Sequence, residues 1–227
     1  MKKWVKLCNG ALYVTQNELQ RRYPNSGINQ NASNVELIEV KSECTQQRVL
    51  RFYERRRSGN LKFGLIGTMK NDTKGIDIAI KALANKEGTL HVLGNGDPGR
   101  FVEMANKYNV PFEYDGFLSN KNDVFEWLDD IDIYLQPSYQ EGLPRATIEA
   151  MSRGCIVLSS NAGGLPELVQ DKFIHSAGDV DKLALDIESL YANIEPMTDI
   201  SHSLNISRQY LSPVLSNKRR AFYGKFL

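Results

Sequence analysis

The chain of 227 residues is 41% apolar and 24% charged, the balance of a soluble globular protein. Basic and acidic residues nearly cancel, to a net charge of +1, which excludes a global pull toward nucleic acid or an anionic membrane. Cys8, Cys44 and Cys155 are odd in number, far apart and without a Cys-x-x-Cys, which excludes a disulfide framework and a zinc site and fits a reducing compartment.

From the amino terminus, MKKWVKLCNG starts basic but lacks the long apolar centre of a secretion signal. ALYVTQNELQRRYP reads as one strand and the helix after it, and GINQNASNVEL as a crossing loop with a short strand. RFYERRRSGN, Arg51 to Asn60, reads as the solvated face of a linker; steering of a phosphorylated or membrane-bound acceptor is its alternative. From residue 61 onward, short apolar runs alternate with helical ones. The expected strands are LKFGLIGTM, TLHVLGNG, VPFEYDGF, IDIYLQPS, CIVLSS and FIHSA. The expected helices are KGIDIAIKALANK, RFVEMANKYN, NDVFEWLDD, PRATIEAMSR (closed by Gly154), LPELVQD and DVDKLALDIESLYANI. SPVLSNKRRAFYGKFL reads as a last helix beginning near Pro213. This alternation predicts an α/β fold, a Rossmann-like doubly wound parallel sheet, over about residues 60–195. No apolar run reaches the ~20 residues of a membrane-spanning helix, so a cytoplasmic location is expected, with peripheral membrane association left open.

Two motifs compete for the chemistry. LHVLGNGDPGRF places Gly94, Gly96 and Gly99 in the spacing of a dinucleotide fingerprint, with Glu113 near the offset of a ribose-holding acid. Read that way, the chain is an oxidoreductase domain binding a nicotinamide or flavin dinucleotide. Pro98 stands where the loop should become a helix, and the unit is the second βα pair of its domain, so a Gly-rich turn is the simpler reading.

The other motif is EGLPRATIEAM. Glu141 follows the strand IDIYLQPS and stands on the carboxyl rim of a parallel sheet, where ligands gather. Pro144 suits the first helical position, and the unpaired amides after it make an anion site fitted to a diphosphate. Glu149 projects from the second turn, where a carboxylate accepts two hydrogen bonds from vicinal hydroxyls such as a ribose's; Glu141 is placed to bind hydroxyls of a second sugar. The alternative is a solvated i,i+4 pair between Glu149 and Arg145.

PSYQEGLPRATIEAMSRGCIVLSSNAGGLPELV resembles the donor-site signature of the retaining, family-four (group 1) glycosyltransferases of GT-B architecture. LIGTM…KG, HVLGNG and YDGFL precede it in the family's order, so the likeness covers about residues 61–170. The resemblance implies a nucleotide-diphosphate sugar donor of UDP or GDP type, with no cofactor and no metal. It implies donor-sugar contact at Glu141, ribose contact at Glu149 and diphosphate contact at the amides around Gly142, Leu143 and Pro144. It further implies phosphate neutralisation by Lys74 and reading of the base by the backbone of Gly116, Phe117 and Leu118. One position departs: where the family commonly carries arginine, Gly67 is followed by Thr68, leaving one neutral donor in place of a guanidinium, with Lys70 as a substitute two residues on.

Asp130 and Asp132 mimic a metal-binding Asp-x-Asp, but they lie at the amino end of their strand and read as a solvated turn. His91 reads as a satisfied core histidine, while His175 and His202 lack partners at ligand spacing. Gly164 to Pro166 repeats the Gly-Leu-Pro helix start and reads equally as packing or as sugar contact. The family has two domains of comparable size, so the resemblance implies a remnant of the acceptor-binding domain and a linker strand at 1–40. It further implies a linker at 41–60, the donor-binding domain at 61–195 and C-terminal helices at 196–227. The implied partners are the nucleotide-sugar, a glycan or lipid-linked acceptor, and a missing or separate acceptor-binding domain; no nucleic acid is expected. Three functions follow: half of a transferase in glycan or polysaccharide biosynthesis, the dinucleotide oxidoreductase domain, or a non-catalytic nucleotide-binding remnant.

Overall fold

The computed structural model describes every residue except Glu36, Cys44, Asn193 and Ile194. The expectations for Cys44, for the NVEL strand at Glu36 and for the last two residues of the DVDKLALDIESLYANI helix lie outside the described residues. The chain opens with α1 (Lys2–Leu7), β1 (Gly10–Tyr13), α2 (Glu18–Arg22), β2 (Ile28–Asn31) and α3 (Thr45–Arg57). It continues through β3 (Lys62–Ile66), α4 (Ile76–Ala82), β4 (Thr89–Leu93), α5 (Gly99–Tyr108), β5 (Phe112–Tyr114) and α6 (Lys121–Asp130). Then come β6 (Ile133–Gln136), α7 (Arg145–Ser152), β7 (Ile156–Ser160), β8 (Ile174–His175) and α8 (Val180–Ala192). Two helices end it, α9 (Pro196–Ser207) and α10 (Ser212–Tyr223).

All six strands expected after residue 61 are present, parallel, in the order β5-β4-β3-β6-β7-β8. The chain begins at β3, winds outward through β4 and β5, then crosses back to lay β6, β7 and β8 on the other side. That reversal opens a crevice between the carboxyl ends of β3 and β6, because the connections there leave toward opposite faces. Every residue of β6 and β7 is buried, so these runs are apolar almost throughout instead of alternating. LPELVQD, expected as a short helix, forms only a 3-10 turn at Leu165–Glu167, too short a piece to recover the cost of nucleating a helix.

The amino edge of the sheet differs from expectation. Of Arg51 to Asn60, read as the solvated face of a linker, the part up to Arg57 belongs to helix α3, which is exposed along Tyr53, Glu54 and Arg57 but buries Arg48 and Phe52. Arg48 donates to the carbonyls of Asp129 (2.8 Å) and Ile131 (2.6 Å), covering the negative end of α6. Arg55 reaches Asp130 at 2.5 Å and Asp132 at 3.1 Å, Arg51 reaches Asp132 at 3.2 Å, and Lys62 pairs with Asp130. The Asp132 side chain is 1% exposed. The turn read as solvated is therefore the anchor of α3, held by Arg51 and Arg55 of the arginine run.

β1 and β2 form a separate parallel pair. It is fastened to the main sheet by Glu167, whose carboxylate accepts the amides of Gln16 (2.5 Å), Asn17 (2.9 Å) and Glu18 (2.8 Å) at the start of α2. From the other side Phe222 and Phe226 close over Gly10, where a Cβ would sit 2.4 Å from the Phe226 ring.

Two substitutions test these anchors. Asp132→Ala leaves Arg51 without its carboxylate and Arg55 with Asp130 alone, and is expected to cost about 3 kcal/mol in urea denaturation. Glu167→Ala, which removes an acceptor for the amides that open α2, is expected to cost about 1–2 kcal/mol and to admit protease between residues 14 and 18.

Candidate functional site

Strand alternation puts Tyr134, Gln136 and Ser138 on one side of β6 and its extension. Their polar ends form a buried chain. The Tyr134 hydroxyl donates to Gln136 Oε1 (3.0 Å), Thr147 donates to the same oxygen (3.2 Å), and Gln136 Nε2 donates to Ser138 Oγ (2.7 Å). The chain ends on Glu141 Oε1, which accepts from Gln136 (3.0 Å), Ser138 (2.8 Å) and Lys74 Nζ (2.7 Å). The Glu141 side chain is 7% exposed, and its Oε2 has no hydrogen bond to a described residue.

Two glycine contacts set this geometry. Gly75, at φ +69°, lies so close to the end of β6 that a Cβ would meet the Pro137 carbonyl at 2.1 Å. That approach delivers Lys74 to Glu141. Gly163, at φ +57°, backs the Glu141 loop, where a Cβ would sit 2.2 Å from the Glu141 carbonyl, and the Gly164 amide donates to Gly142 at 2.6 Å. The second Gly-Leu-Pro thus packs against the first.

A cavity of about 430 Å³ occupies the crevice. Gly67 and Thr68 line it from β3, Lys74 from the next loop, Phe117 and Leu118 from beyond β5, and Glu141, Leu143 and Pro144 from beyond β6. Those eight of the eleven expected site residues are brought together. Gly116, Gly142 and Glu149 do not line it, and neither does Lys70, which is exposed. Pro144 is the residue before α7 rather than its first, with ψ 119°. The amides of Arg145, Ala146 and Thr147 then form the open helix start, since no carbonyl of the helix lies behind them.

Glu149 lies one turn deeper in α7, 9% exposed. Its carboxyl pKa is raised above the ordinary value, because loss of water outweighs the attraction of Lys121 and Arg145. It forms no ion pair with Arg145, so the solvated i,i+4 pairing does not hold. Gln136, Ser138 and Arg145 are site residues that the sequence reading passed over. Gln136 and Ser138 were visible as polar residues ending an otherwise apolar strand, and Arg145 as a cation at the positive end of a helix.

The remaining candidates lie elsewhere. Leu93, Gly94 and Asn95 contribute to the cavity, but Glu113 is exposed and away from it. Asp130 and Asp132 are occupied by arginines at the opposite edge. His91 is partly buried instead of enclosed in the core, 3.2 Å from Asp115, which also accepts from Trp127 at 2.8 Å. His175 is buried with neither ring nitrogen bonded, and desolvation lowers its pKa to about 4. Among the described residues no three His, Cys, Asp or Glu side chains are placed to hold a metal ion, and no helix is long and apolar enough to cross a membrane.

Residues 60–193 match the family described as glycosyl transferases group 1. Protein CapJ of Staphylococcus aureus is 36% identical over 190 residues, which are 80% of this chain and 46% of CapJ. The lipopolysaccharide glucosyltransferase WaaG of Escherichia coli is 33% identical over 104 residues, 43% of this chain and 28% of WaaG. HepE from Anabaena, solved in complex with UDP, superposes with a TM-score of 0.75 at 18% identity, over 98% of this chain and 65% of HepE. The chain thus spans about half the length of CapJ or less of the curated relatives it matches.

The raised pKa of Glu149 has a stability consequence. A carboxyl whose pKa is higher folded than unfolded contributes stability below its unfolded value, and that contribution is lost as pH rises through the folded value. Glu149→Gln removes this loss. Its melting temperature at pH 7 is expected to exceed that of the wild type, with the two converging below pH 4; equal melting temperatures at pH 7 would show that the burial costs nothing.

Proposed function

Since the chain belongs to the glycosyl transferases group 1 family and has its GT-B fold, we propose that it is the nucleotide-sugar-binding half of a glycosyltransferase acting in glycan or polysaccharide assembly. The observation that carries this reading is the convergence of Lys74, Glu141 and the open start of α7 on one cavity at the point where the sheet reverses direction. Family membership sets aside the dinucleotide oxidoreductase, and the exposed position of Glu113 agrees. The donor is a UDP or GDP sugar; the UDP bound to HepE supports the diphosphate, and the WaaG name supports a glycan acceptor.

Transfer breaks the bond between the anomeric carbon and the phosphate oxygen, so positive charge grows on the sugar ring while the diphosphate gains negative charge. In this reading the helix amides and Lys74 meet the growing negative charge, a role that needs no metal ion. Lys74 divides itself between Glu141 and the arriving phosphate. Glu141 Oε1 is held by three donors, leaving Oε2 to accept a sugar hydroxyl. Glu149 takes the ribose hydroxyls, and the backbone at Gly116 to Leu118 reads the base. The anomeric configuration is retained. The acceptor is held largely by further polypeptide, joined or separate, for which the β1–β2 unit provides one wall.

Calorimetric titration with UDP and GDP tests the reading. One of the two is expected to bind the folded chain, and binding by neither overturns it. Glu149→Ala is expected to weaken nucleotide binding through the ribose, so that free uridine competes less well on the variant than on the wild type. Equal competition on both proteins removes Glu149 from that role.

A further inference from the structure

Among the described residues three charged side chains line the cavity: Lys74, Glu141 and Arg145. Lys74 and Glu141 stand 2.7 Å apart and neutralise one another. The net positive charge of the cavity therefore rests on Arg145. Its side chain is exposed, and it makes no ion pair with a described residue.

The position of Arg145 is electrostatically unfavourable in the absence of an anion. It is the first residue of α7, at the positive end of the helix dipole, and the first turn contains no acidic residue. Glu149, one turn on, is buried and attracts Arg145 without forming an ion pair with it, so the helix start is only partly offset. Arg145 and the open amides beside it therefore repel each other until a negative group lies between them. A guanidinium also presents a planar fork that matches two oxygens of one phosphate.

Resting on the nucleotide-sugar reading, we infer that Arg145 clamps the donor diphosphate and supplies most of the preference of this cavity for a nucleoside diphosphate over the bare nucleoside. Thr68, a neutral residue lining the same cavity, leaves that role to α7. Lys74 is thereby free to keep Glu141 in place until the leaving group forms.

The test is calorimetry on the full chain, with whichever of UDP and GDP the wild type binds and with the matching nucleoside. Arg145→Ala is expected to lose about tenfold or more in diphosphate affinity, the usual worth of a charge-assisted hydrogen bond. Nucleoside affinity should be unchanged, and the melting temperature should be equal or slightly higher because a charge opposed to the dipole has gone. Arg145→Lys, which keeps the charge but not the fork, should fall between wild type and Arg145→Ala. Adding Thr68→Arg to Arg145→Ala should restore much of the lost diphosphate affinity by returning a guanidinium to the cavity. Equal diphosphate affinity in wild type and Arg145→Ala overturns the inference while leaving the donor-binding reading intact. A wild type that binds neither nucleotide overturns both.

Discussion

One carboxylate oxygen, Oε1 of Glu141, organises the carboxyl rim. It accepts from Lys74, Gln136 and Ser138, which come from three points on two loops and one strand. With the Glu141 side chain 7% exposed, each of these bonds gains strength from its low-dielectric surroundings, and each fixes a group that would otherwise be free to rotate. Lys74 arrives there because Gly75 lets its loop touch the end of β6. Glu141 stays there because Gly163 and Gly164 leave its own loop no room to withdraw. The cavity is thus shaped by contacts that allow nothing larger than hydrogen at the α-carbon. They are backed by a polar chain that begins at the fully buried Tyr134.

The two edges of the sheet divide the charge of the molecule. At the amino edge Arg48, Arg51 and Arg55 are committed to Asp130, Asp132 and the carbonyls that end α6, and they hold α3 against the sheet. At the carboxyl edge the cations face a cavity. An overall balance of +1 conceals this separation, because the arginines of the first edge are cancelled locally while Arg145 at the second is not.

What the sequence revealed follows from where its patterns are unambiguous. The strands of the main sheet are short β-branched and aromatic runs bounded by glycine and polar turns, and each was recognisable alone. The place of Glu141 was legible from its position just past a strand, while Lys74 and Thr68 were picked out by the family resemblance; all three line the cavity. α9 was not, because its buried face consists largely of Ser203, Ser207 and Asp199 around Ile200 and Leu204, which carries little hydrophobic periodicity. α3 was misread for a related reason: a run of arginines looks solvated until the carbonyls and aspartates that receive it, some eighty residues later, are known. The same long-range dependence hid the role of Gln136 and Ser138, visible in sequence only as polar residues ending a strand, because the oxygen of Glu141 that they hold is shared with Lys74.

The burial of Glu149, one turn into α7 from the cavity, bears on the proposed ribose contact. A carboxylate in water surrenders a tightly bound hydration shell before a hydroxyl can reach it, and that surrender usually opposes association. Folding has already removed most of that shell from Glu149, 9% exposed, so in the proposed reading a ribose hydroxyl displaces little solvent there. The protein carries this penalty as reduced stability above the raised pKa of Glu149, and in the proposed reading hydroxyls bonded to the carboxylate offset it.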